Sequence, residues 1–233
     1  MELWKSRRGA ILAAFSKRGS ASPETPSATA HLARRFAEAL GHAALPIARA
    51  TQIHGCAVLT VHSPIPPGRT ELIGEGDVLV TAQPGVGLAV QTADCVPVLL
   101  FGKGGIAAVH AGWRGTASGA ARAGVRALAR ESGTSPSMMH AVIGPSIGVC
   151  CYEVGGEVAT SFAGAFVRRG CGGKFQLDLK AANRAQLESE GLRPDQVEVL
   201  PFCTLCGGPD LASYRRDGAG AGRMIALVAR LET

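Results

Sequence analysis

The sequence has few aromatic residues and no apolar run of membrane-spanning length. Aromatic side chains make up only 5% of its 233 residues, so the chain lacks the stacking surface that binds single-stranded nucleic acids. Its net charge of +6 comes from dispersed single arginines and doublets rather than from a basic stripe. We therefore expect a globular protein with neither a nucleic-acid nor a membrane partner, and a small anionic substrate as the better use of the arginines.

The sequence also lacks the cysteine pattern of a disulfide scaffold, since its seven cysteines are an odd number scattered through a long chain. This favours reduced thiols and a cytoplasmic location. Lys5–Arg8 followed by Gly9–Phe15 superficially resembles a signal peptide. The apolar stretch is short and continues directly into a charged segment, so we interpret it as an opening β-strand.

Short apolar runs outnumber helical patterns, and many connections between them are too short for helical crossovers. This predicts an α+β fold, a single domain over residues 1–233 with mixed, mainly antiparallel sheets in a layered sandwich flanked by helices. The predicted strands are 9–15, 47–53, 57–62, 78–80, 87–90, 96–101, 106–109, 140–143, 197–200 and 224–231. The predicted helices lie around 32–40 and over 116–132, 156–168 and 180–190, with loops at 16–29 and 63–76.

A predicted hairpin brings two reactive side chains to one end of a strand pair. Cys95 precedes the strand 96–101, and His110 closes the strand 106–109 after a glycine-rich turn. Because the start of one antiparallel strand lies beside the end of the next, the two side chains can share one edge. A thiolate beside an imidazole indicates either a metal site or an activated nucleophile.

His54 stands at a polar break between two predicted strands. A set of His54, Cys95 and His110 would give zinc three protein ligands and leave one position open, as in catalytic zinc sites. The residues alone leave open whether the three segments converge.

The remaining cysteines give weaker signals. Cys203 and Cys206 have Cys-x-x-Cys spacing, but no second such pair exists, which disfavours a zinc ribbon. We interpret Cys206 as an ordinary thiol. The doublet Cys150-Cys151 is not expected to aim both side chains at one metal, so we predict that one of them is buried as a small apolar residue.

The ordered motifs of the chain resemble the YfiH/laccase-domain family, also called the polyphenol oxidase or FAMIN-like purine nucleoside phosphorylases. The segments that carry the resemblance are 52–55 (QIHG), 76–81 (GDVLVT), 92–97 (TADCVP), 110–115 (HAGWRG), 143–148 with 151–154 (IGPSIG, CYEV), 203–204 (CT), and 213–217 with 222–223 (SYRRD, GR). They follow the family's order from about Phe15 to the C-terminus. The segment 15–22 departs from the family pattern, which puts a substrate role of Arg18 in doubt.

The resemblance implies that His54, Cys95 and His110 bind Zn²⁺. It also implies phosphorolysis of adenosine, inosine, guanosine and methylthioadenosine, with an accompanying adenosine deaminase activity. Arg114 and Arg215 could then bind phosphate, because the guanidinium fork suits oxyanions.

Two further expectations complete this interpretation. Asp94 is expected to act as a general acid or base or to orient a neighbouring group. The implied partners are purine nucleosides and phosphate, and the chain is expected to be a monomer or a small homo-oligomer.

Three alternatives remain at this point. A cysteine hydrolase acting on an amide, with family links to peptidoglycan-precursor editing, would use Cys95 as nucleophile, His110 as base, and Asp94 or His54 as the group that orients the base. A full multicopper centre is disfavoured because the sequence has no His-x-His pair, although a single copper could replace zinc. A non-catalytic zinc protein fits poorly with three ligands and an open position.

Overall fold

The computed structural model describes residues 1–19 and 26–232. Its strands are β1 (Glu2–Arg8), β2 (Ile11–Ser16), β3 (Ile47–Thr51), β4 (Val58–Thr60), β5 (Thr70–Glu75), β6 (Val78–Thr81), β7 (Val86–Thr92), β8 (Val96–Gly102), β9 (Gly105–Ala111), β10 (His140–Ile143), β11 (Glu153–Val154), β12 (Val167–Arg169), β13 (Phe175–Leu177), β14 (Val197–Val199) and β15 (Met224–Arg230). Its α-helices are α1 (Pro26–Ala39), α2 (Trp113–Ala117), α3 (Ala120–Ser132), α4 (Gly156–Ala159), α5 (Leu179–Ser189) and α6 (Tyr214–Asp217).

Two six-stranded mixed sheets form the body of the described chain. The first has the order β1-β2-β15-β7-β3-β5, with β3 parallel to both of its neighbours and the other pairs antiparallel. The second has the order β14-β10-β8-β9-β6-β4, with parallel pairs only at its two edges. A small third sheet, β11-β13-β12, follows the antiparallel pattern.

The sheets stack face to face, and helices cover their outer faces. One core cluster joins Phe15, Leu88 and Val228 of the first sheet to Leu99 and Ile106 of the second. The outer face of the first sheet packs against α1, and that of the second packs against α3 and α5. Every residue of β8 and β9 is buried, because neighbouring side chains alternate between the sandwich interior and the helical layer. These layers confirm the predicted α+β sandwich.

Three connections cross from the first sheet to the second at one end of the sandwich. They are residues 52–57 between β3 and β4, 76–77 between β5 and β6, and 93–95 between β7 and β8. Among the described residues, two non-glycine residues adopt positive φ, and both lie in these crossings: His54 at 61° and Asp94 at 84°. Residues with side chains rarely occupy this region, so the surrounding contacts must hold both bends in place.

The hairpin prediction is confirmed by the pairing of β8 with β9 from Val96↔Ala111 to Gly102↔Gly105. The predicted helix over 156–168 is wrong. Only Gly156–Ala159 is α-helical, and Val167–Arg169 instead pairs with β13. The predicted loop 63–76 contains the strand β5, which runs parallel to β3 at the sheet edge. Its exposed glutamates and Gly74 hide the strand pattern in the sequence.

Other boundaries also differ from the prediction. The helix predicted over 116–132 is broken at Ser118-Gly119, where Gly119 has a φ of 86°. The predicted loop 16–29 falls partly on residues 20–25, which lie outside the described residues, and α1 already begins at Pro26. None of the helices in the described part of the chain combines the length and apolar character that a membrane crossing requires. The extent of a single domain over 1–233 stays a prediction.

Candidate functional site

His54, Cys95 and His110 converge at the end of the sandwich where the sheets connect. Their candidate ligand atoms all lie within 4.8 Å of one another, and the two imidazole rings meet edge to face with centroids 4.9 Å apart. The hairpin register explains part of this arrangement, because His110 pairs with Pro97, two residues after Cys95. The crossing from β3 to β4 supplies His54. We call these three residues the His-Cys-His cluster.

A buried carboxylate that the sequence reasoning missed holds this cluster together. Asp77 is 1% exposed and accepts hydrogen bonds from the backbone amides of Ile53, His54 and Gly55, at 3.3, 3.0 and 2.7 Å. Its Oδ1 atom also lies 2.8 Å from Nδ1 of His110. A carboxylate on Nδ1 fixes the tautomer that leaves Nε2 free to act as a ligand or a base. The signal was present in the segment 76–81, but nothing local in the sequence shows that the side chain of Asp77 faces His110.

Cys95 and His110 shift each other's proton affinity. Burial raises the pKa of the Cys95 thiol, but the positive charge and hydrogen bonds of His110 and His54 overcome this and lower the pKa to about 6. Burial opposes charge on His110, yet Cys95 and Asp77 raise its pKa to about 9. Without a bound ion, the cluster therefore favours a thiolate–imidazolium pair.

Gly112 leaves no room for a side chain beside the cluster. A Cβ atom at this position would lie 3.0 Å from Sγ of Cys95 and 3.2 Å from Cδ2 of His54. We expect Gly112→Ala to displace these ligands and lower metal affinity by about 10-fold or more, while the fold persists. Gly164→Ala is the matched control, since nothing lies within 4 Å of its Cβ position. Competition with a chromophoric chelator measures the affinity, and equal affinity of both variants would contradict the prediction.

The cluster lies in a cavity of about 450 Å³, a volume typical of small-molecule sites. The cavity is lined by Gln52, His54, Gln91, Ala93, Asp94, Cys95, His110, Gly112, Trp113, Arg114, Ile147, Tyr152, Leu179, Tyr214, Arg215 and Arg223. The structure thus brings Asp94, Arg114 and Arg215 to the same cavity as the cluster. Arg223, whose side-chain role the sequence did not indicate, joins them.

The three arginines reach the cavity from different elements. The guanidinium of Arg114 lies over the ring of Trp113, 4.3 Å from its centroid. Arg215 donates to the carbonyl of Glu153 at 3.0 Å, with its guanidinium carbon 5.5 Å from the ring centroid of Tyr152. Burial lowers the pKa of Arg223, and the nearby Cys95 partly offsets this. An anion in the cavity would therefore meet several guanidinium groups.

Arg18, by contrast, is not among the described residues that line this cavity. Its guanidinium donates to Asp217 at 2.8 Å and to the carbonyl of Gly220 at 2.9 Å. These contacts fasten the turn after α6. Arg18, in the segment 15–22 that departs from the family pattern, thus contacts Asp217 and Gly220 rather than the cavity.

Asp94 is held on both carboxylate oxygens. Thr204 donates its hydroxyl to Oδ1 at 2.5 Å, and the backbone amide of Arg215 donates to Oδ2 at 2.7 Å. Its own carbonyl accepts from the amide of Ile147 at 2.9 Å. These contacts tie three separate segments together, which favours the orienting role among those considered for Asp94.

The donor atoms of the His-Cys-His cluster suit a transition metal of the zinc type. A thiolate and two imidazoles are zinc ligands, and the carboxylate on His110 matches the outer partner that zinc-bound histidines usually have. Among the described residues, the cluster is the one candidate metal group that contains histidine. The structure therefore provides one site with mixed nitrogen and sulfur ligands rather than the histidine clusters of a multicopper centre.

The prediction that Cys150 and Cys151 do not face one metal and that one of them is buried is wrong. Cys150 is exposed and Cys151 is half-buried. The Sγ atoms of Cys150, Cys151, Cys203 and Cys206 all lie within 4.8 Å of one another. Consecutive side chains point to opposite sides only where the backbone is extended. The doublet instead lies in a turn, where the amides of Cys151 and Tyr152 both donate to the carbonyl of Gly148 at 2.9 Å.

A layered α+β sandwich with a cysteine–histidine cluster in an arginine-lined cavity has the architecture of an enzyme with a candidate metal site. A family model described as multi-copper polyphenol oxidoreductase laccase matches residues 13–231. The chain belongs to this family, the group of laccase-like proteins that its motifs resemble.

Relatives with curated names, and a solved structure, match most of the chain. A purine nucleoside phosphorylase of Deinococcus radiodurans is 41% identical over 216 residues, covering 88% of this chain and 78% of its own length. A protein named adenosine deaminase RL5, from an unknown prokaryote, is 38% identical and covers 74% of this chain and 70% of its own length. The crystal structure of Bacillus licheniformis YfiH has a TM-score of 0.85 at 27% identity, covering 95% of this chain and 93% of that one.

Proposed function

We propose that this chain is a zinc-dependent purine nucleoside phosphorylase that also deaminates adenosine. The names of its relatives support an enzyme of this kind. The observation that carries the proposal is the sharing of one cavity by the His-Cys-His cluster and Arg114, Arg215 and Arg223. Phosphorolysis needs an anion site beside a group that assists departure of the base, and this cavity offers residues suited to both.

In this proposal the arginines bind the phosphate that the reaction requires. Cleavage of the glycosidic bond builds positive charge on the sugar, so phosphate must be held close to the anomeric carbon while the purine leaves. Arg215 and Arg114 present guanidinium groups whose planar fork fits phosphate oxygens. Stacking on Tyr152 and Trp113 restricts both side chains. Less conformational freedom is then lost when phosphate binds.

The protein residues around the cluster prepare it for a cation. Asp77 holds Nδ1 of His110, so Nε2 of this ring is left for the metal, and the buried thiol of Cys95 supplies the anionic ligand. Zinc held by His54, Cys95 and His110 would supply a Lewis acid that polarises bound substrate and activates water near neutral pH. A single copper ion could be held by the same donors.

The cavity and the family support the substrate range proposed here. Adenosine, inosine, guanosine and methylthioadenosine share a purine and a ribose, and a cavity of about 450 Å³ has space for a nucleoside with phosphate. The exposed ring of Tyr214 and the stacked ring of Trp113 offer aromatic surfaces to the base. In this proposal Asp94 positions Arg215 through its backbone amide and takes no proton itself.

The two activities are expected to differ in their need for phosphate. With adenosine as substrate, release of adenine and formation of ribose 1-phosphate should require phosphate, whereas formation of inosine should not, because water is its second reactant. Chromatography of the products, with and without phosphate, measures both reactions in one sample. Phosphate-independent release of adenine would show a hydrolase, and the absence of any purine nucleoside turnover would overturn the proposal.

Single arginine variants locate the anion site. We expect Arg215→Ala or Arg114→Ala to raise the KM for phosphate by about 10-fold or more while changing deamination less, since a charged hydrogen bond contributes about 1.5–3 kcal/mol. Arg130→Ala is the matched control, because Arg130 lies on α3 with its side chain 67% exposed. Equal losses of both activities in the Arg215 and Arg114 variants would contradict a phosphate role.

A cysteine hydrolase is the second candidate, and one observation favours it. The lowered pKa of Cys95, His110 beside it and Asp77 behind His110 together reproduce the order of nucleophile, base and orienting acid. Asp77 contacts His110, the base in this alternative, whereas the sequence suggested Asp94 or His54 as the orienting group. An amidase of this type would keep its activity after exhaustive chelation, whereas the phosphorylase proposed here would lose it.

A further inference from the structure

We propose that Cys150, Cys151, Cys203 and Cys206 form a second metal centre, a tetrathiolate zinc site separate from the His-Cys-His cluster. These cysteines, called here the four-cysteine cluster, come from two segments about fifty residues apart in sequence. Their sulfur atoms lie within 4.8 Å of one another. The inference does not depend on the proposed function, because no residue of the four-cysteine cluster lines the catalytic cavity.

The sulfur spacing fits one ion rather than a larger cluster. Four sulfurs at ~2.3 Å from a tetrahedral zinc are ~3.8 Å apart. The Sγ atoms of Cys150 and Cys206 are 3.8 Å apart. An iron–sulfur cubane places several iron atoms between its thiolates and therefore needs wider spacing than this group offers. A set of four thiolates without nitrogen or oxygen ligands is typical of structural zinc.

Backbone contacts hold the segments that carry the four cysteines next to each other. Ser146 and Cys203 form an isolated parallel bridge, and the amide of Thr204 donates to the carbonyl of Ser146 at 3.0 Å. The amide of Gly148 donates to Sγ of Cys203 at 3.3 Å. Such N–H···S contacts stabilise a thiolate. A Cβ on Gly148 would lie only 3.1 Å from Sγ of Cys150, so the turn approaches the sulfurs as closely as glycine allows.

Neighbouring positive charge suits an anionic tetrathiolate. Lys180 and Arg184 line the surface cavity of about 370 Å³ that Cys150 and Cys203 also line. Lys180 is fixed there by hydrogen bonds from Nζ to the carbonyls of Leu200 and Phe202, at 2.8 and 2.7 Å. A Zn²⁺ ion with four thiolates carries a net charge of −2, which the ammonium group of Lys180 partly balances. Arg184 is already paired with Glu188 at 2.7 Å.

The position of the site indicates what the ion would do. Tyr152, which lines the catalytic cavity, directly follows Cys151, and Thr204, which holds Asp94, directly follows Cys203. An ion at the four-cysteine cluster would therefore join the segment that supplies Tyr152 to the cavity and the segment whose Thr204 holds Asp94. We infer a positioning and stabilising role, because a structural zinc site contributes its binding free energy to folding.

Metal content of matched variants tests this inference. The protein is purified without a histidine tag after growth with zinc, and its zinc, iron and copper are measured by mass spectrometry. We expect two zinc ions per chain in the unmodified protein and in Cys171→Ser, where an exposed cysteine outside both clusters is replaced. Cys150→Ser and Cys206→Ser should each retain one zinc and unfold at a lower Tm.

The Cys95→Ser variant supplies a measurement that does not rely on folding of the four-cysteine variants. It should retain one zinc, and X-ray absorption should show four sulfur ligands at about 2.3 Å without nitrogen. A zinc content that is unchanged in Cys206→Ser, iron in place of zinc, or a disulfide among these cysteines by non-reducing mass mapping would overturn the inference. If only the His-Cys-His cluster lacks zinc, the proposed function fails and this inference stands.

Discussion

Replacing Cys95 with serine should abolish purine nucleoside turnover and remove the metal from the His-Cys-His cluster. The side chain is the one anionic ligand of the cluster, and its pKa of about 6 makes it a thiolate at neutral pH. Serine has nearly the same shape, but its hydroxyl does not ionise near neutral pH. Removal of an outer partner of a zinc ligand costs about 10–100-fold in affinity or activity. Loss of a ligand itself should therefore lower kcat/KM by more than about 100-fold.

The measurement combines metal content with steady-state rates of adenine and inosine formation. Cys171→Ser is the control, since it removes a thiol from the exposed surface. Far-ultraviolet circular dichroism should show the same fold in both variants, because Cys95 lies in a connection rather than in a strand. A Cys95→Ser protein that keeps more than a tenth of the wild-type rate would place the chemistry elsewhere in the chain.

Two substitutions at Asp77 should separate its structural role from its electronic role. Asp77→Ala leaves three backbone amides and Nδ1 of His110 without their acceptor in a site that is 1% exposed. Breaking one side of such a buried charged contact costs about 3–5 kcal/mol of unfolding free energy. Urea unfolding of the metal-free proteins should show this loss. A difference below about 1 kcal/mol would contradict it.

Asp77→Asn should fold better than Asp77→Ala but bind metal poorly. An asparagine can keep an oxygen towards the amides of Ile53 and Gly55, while its NH₂ group faces His110. The imidazole must then accept on Nδ1 and carry its proton on Nε2, the nitrogen needed for the metal. We expect metal affinity to fall by about 10–100-fold. Asp195→Asn is the control, since this side chain is 71% exposed beside Arg193, and a variant at position 77 with unchanged affinity would argue against control of the tautomer.

The residues of the candidate site could be predicted from the sequence where a local pattern determines which residues lie close together. Cys95 precedes and His110 ends a hairpin whose glycine-rich turn is evident in the sequence. Their proximity therefore follows from the antiparallel register. His54 required the family resemblance, because nothing local shows that the crossing from β3 to β4 folds over the hairpin. Asp77 could not be assigned from spacing, since its contacts with residues 53–55 arise only when two sheet-to-sheet connections meet.

The errors in the fold prediction also have physical causes. Residues 156–168 have helical composition, but the helix ends at Ala159, and the C-terminal part of the segment pairs with β13 instead. Strand β5 escaped prediction because an edge strand is partly solvated and needs no apolar alternation. The prediction for the doublet Cys150-Cys151 was wrong because the turn after Gly148 brings both sulfur atoms to one side, which the sequence of the doublet does not show.

Because the three connections at one end of the sandwich bring the cluster together, affinity for an ion there should depend on how the two sheets pack. His54 follows β3 of the first sheet, whereas His110 lies in β9 of the second. An ion bound at the cluster would therefore link the two sheets. Because binding and stability are coupled, packing defects far from the site should lower the affinity for the ion. Ion binding should in turn slow amide hydrogen exchange at the ends of both β3 and β9. Substitutions in the shared core, at Leu88 or Leu99 for example, would then be detected first as loss of metal rather than as unfolding.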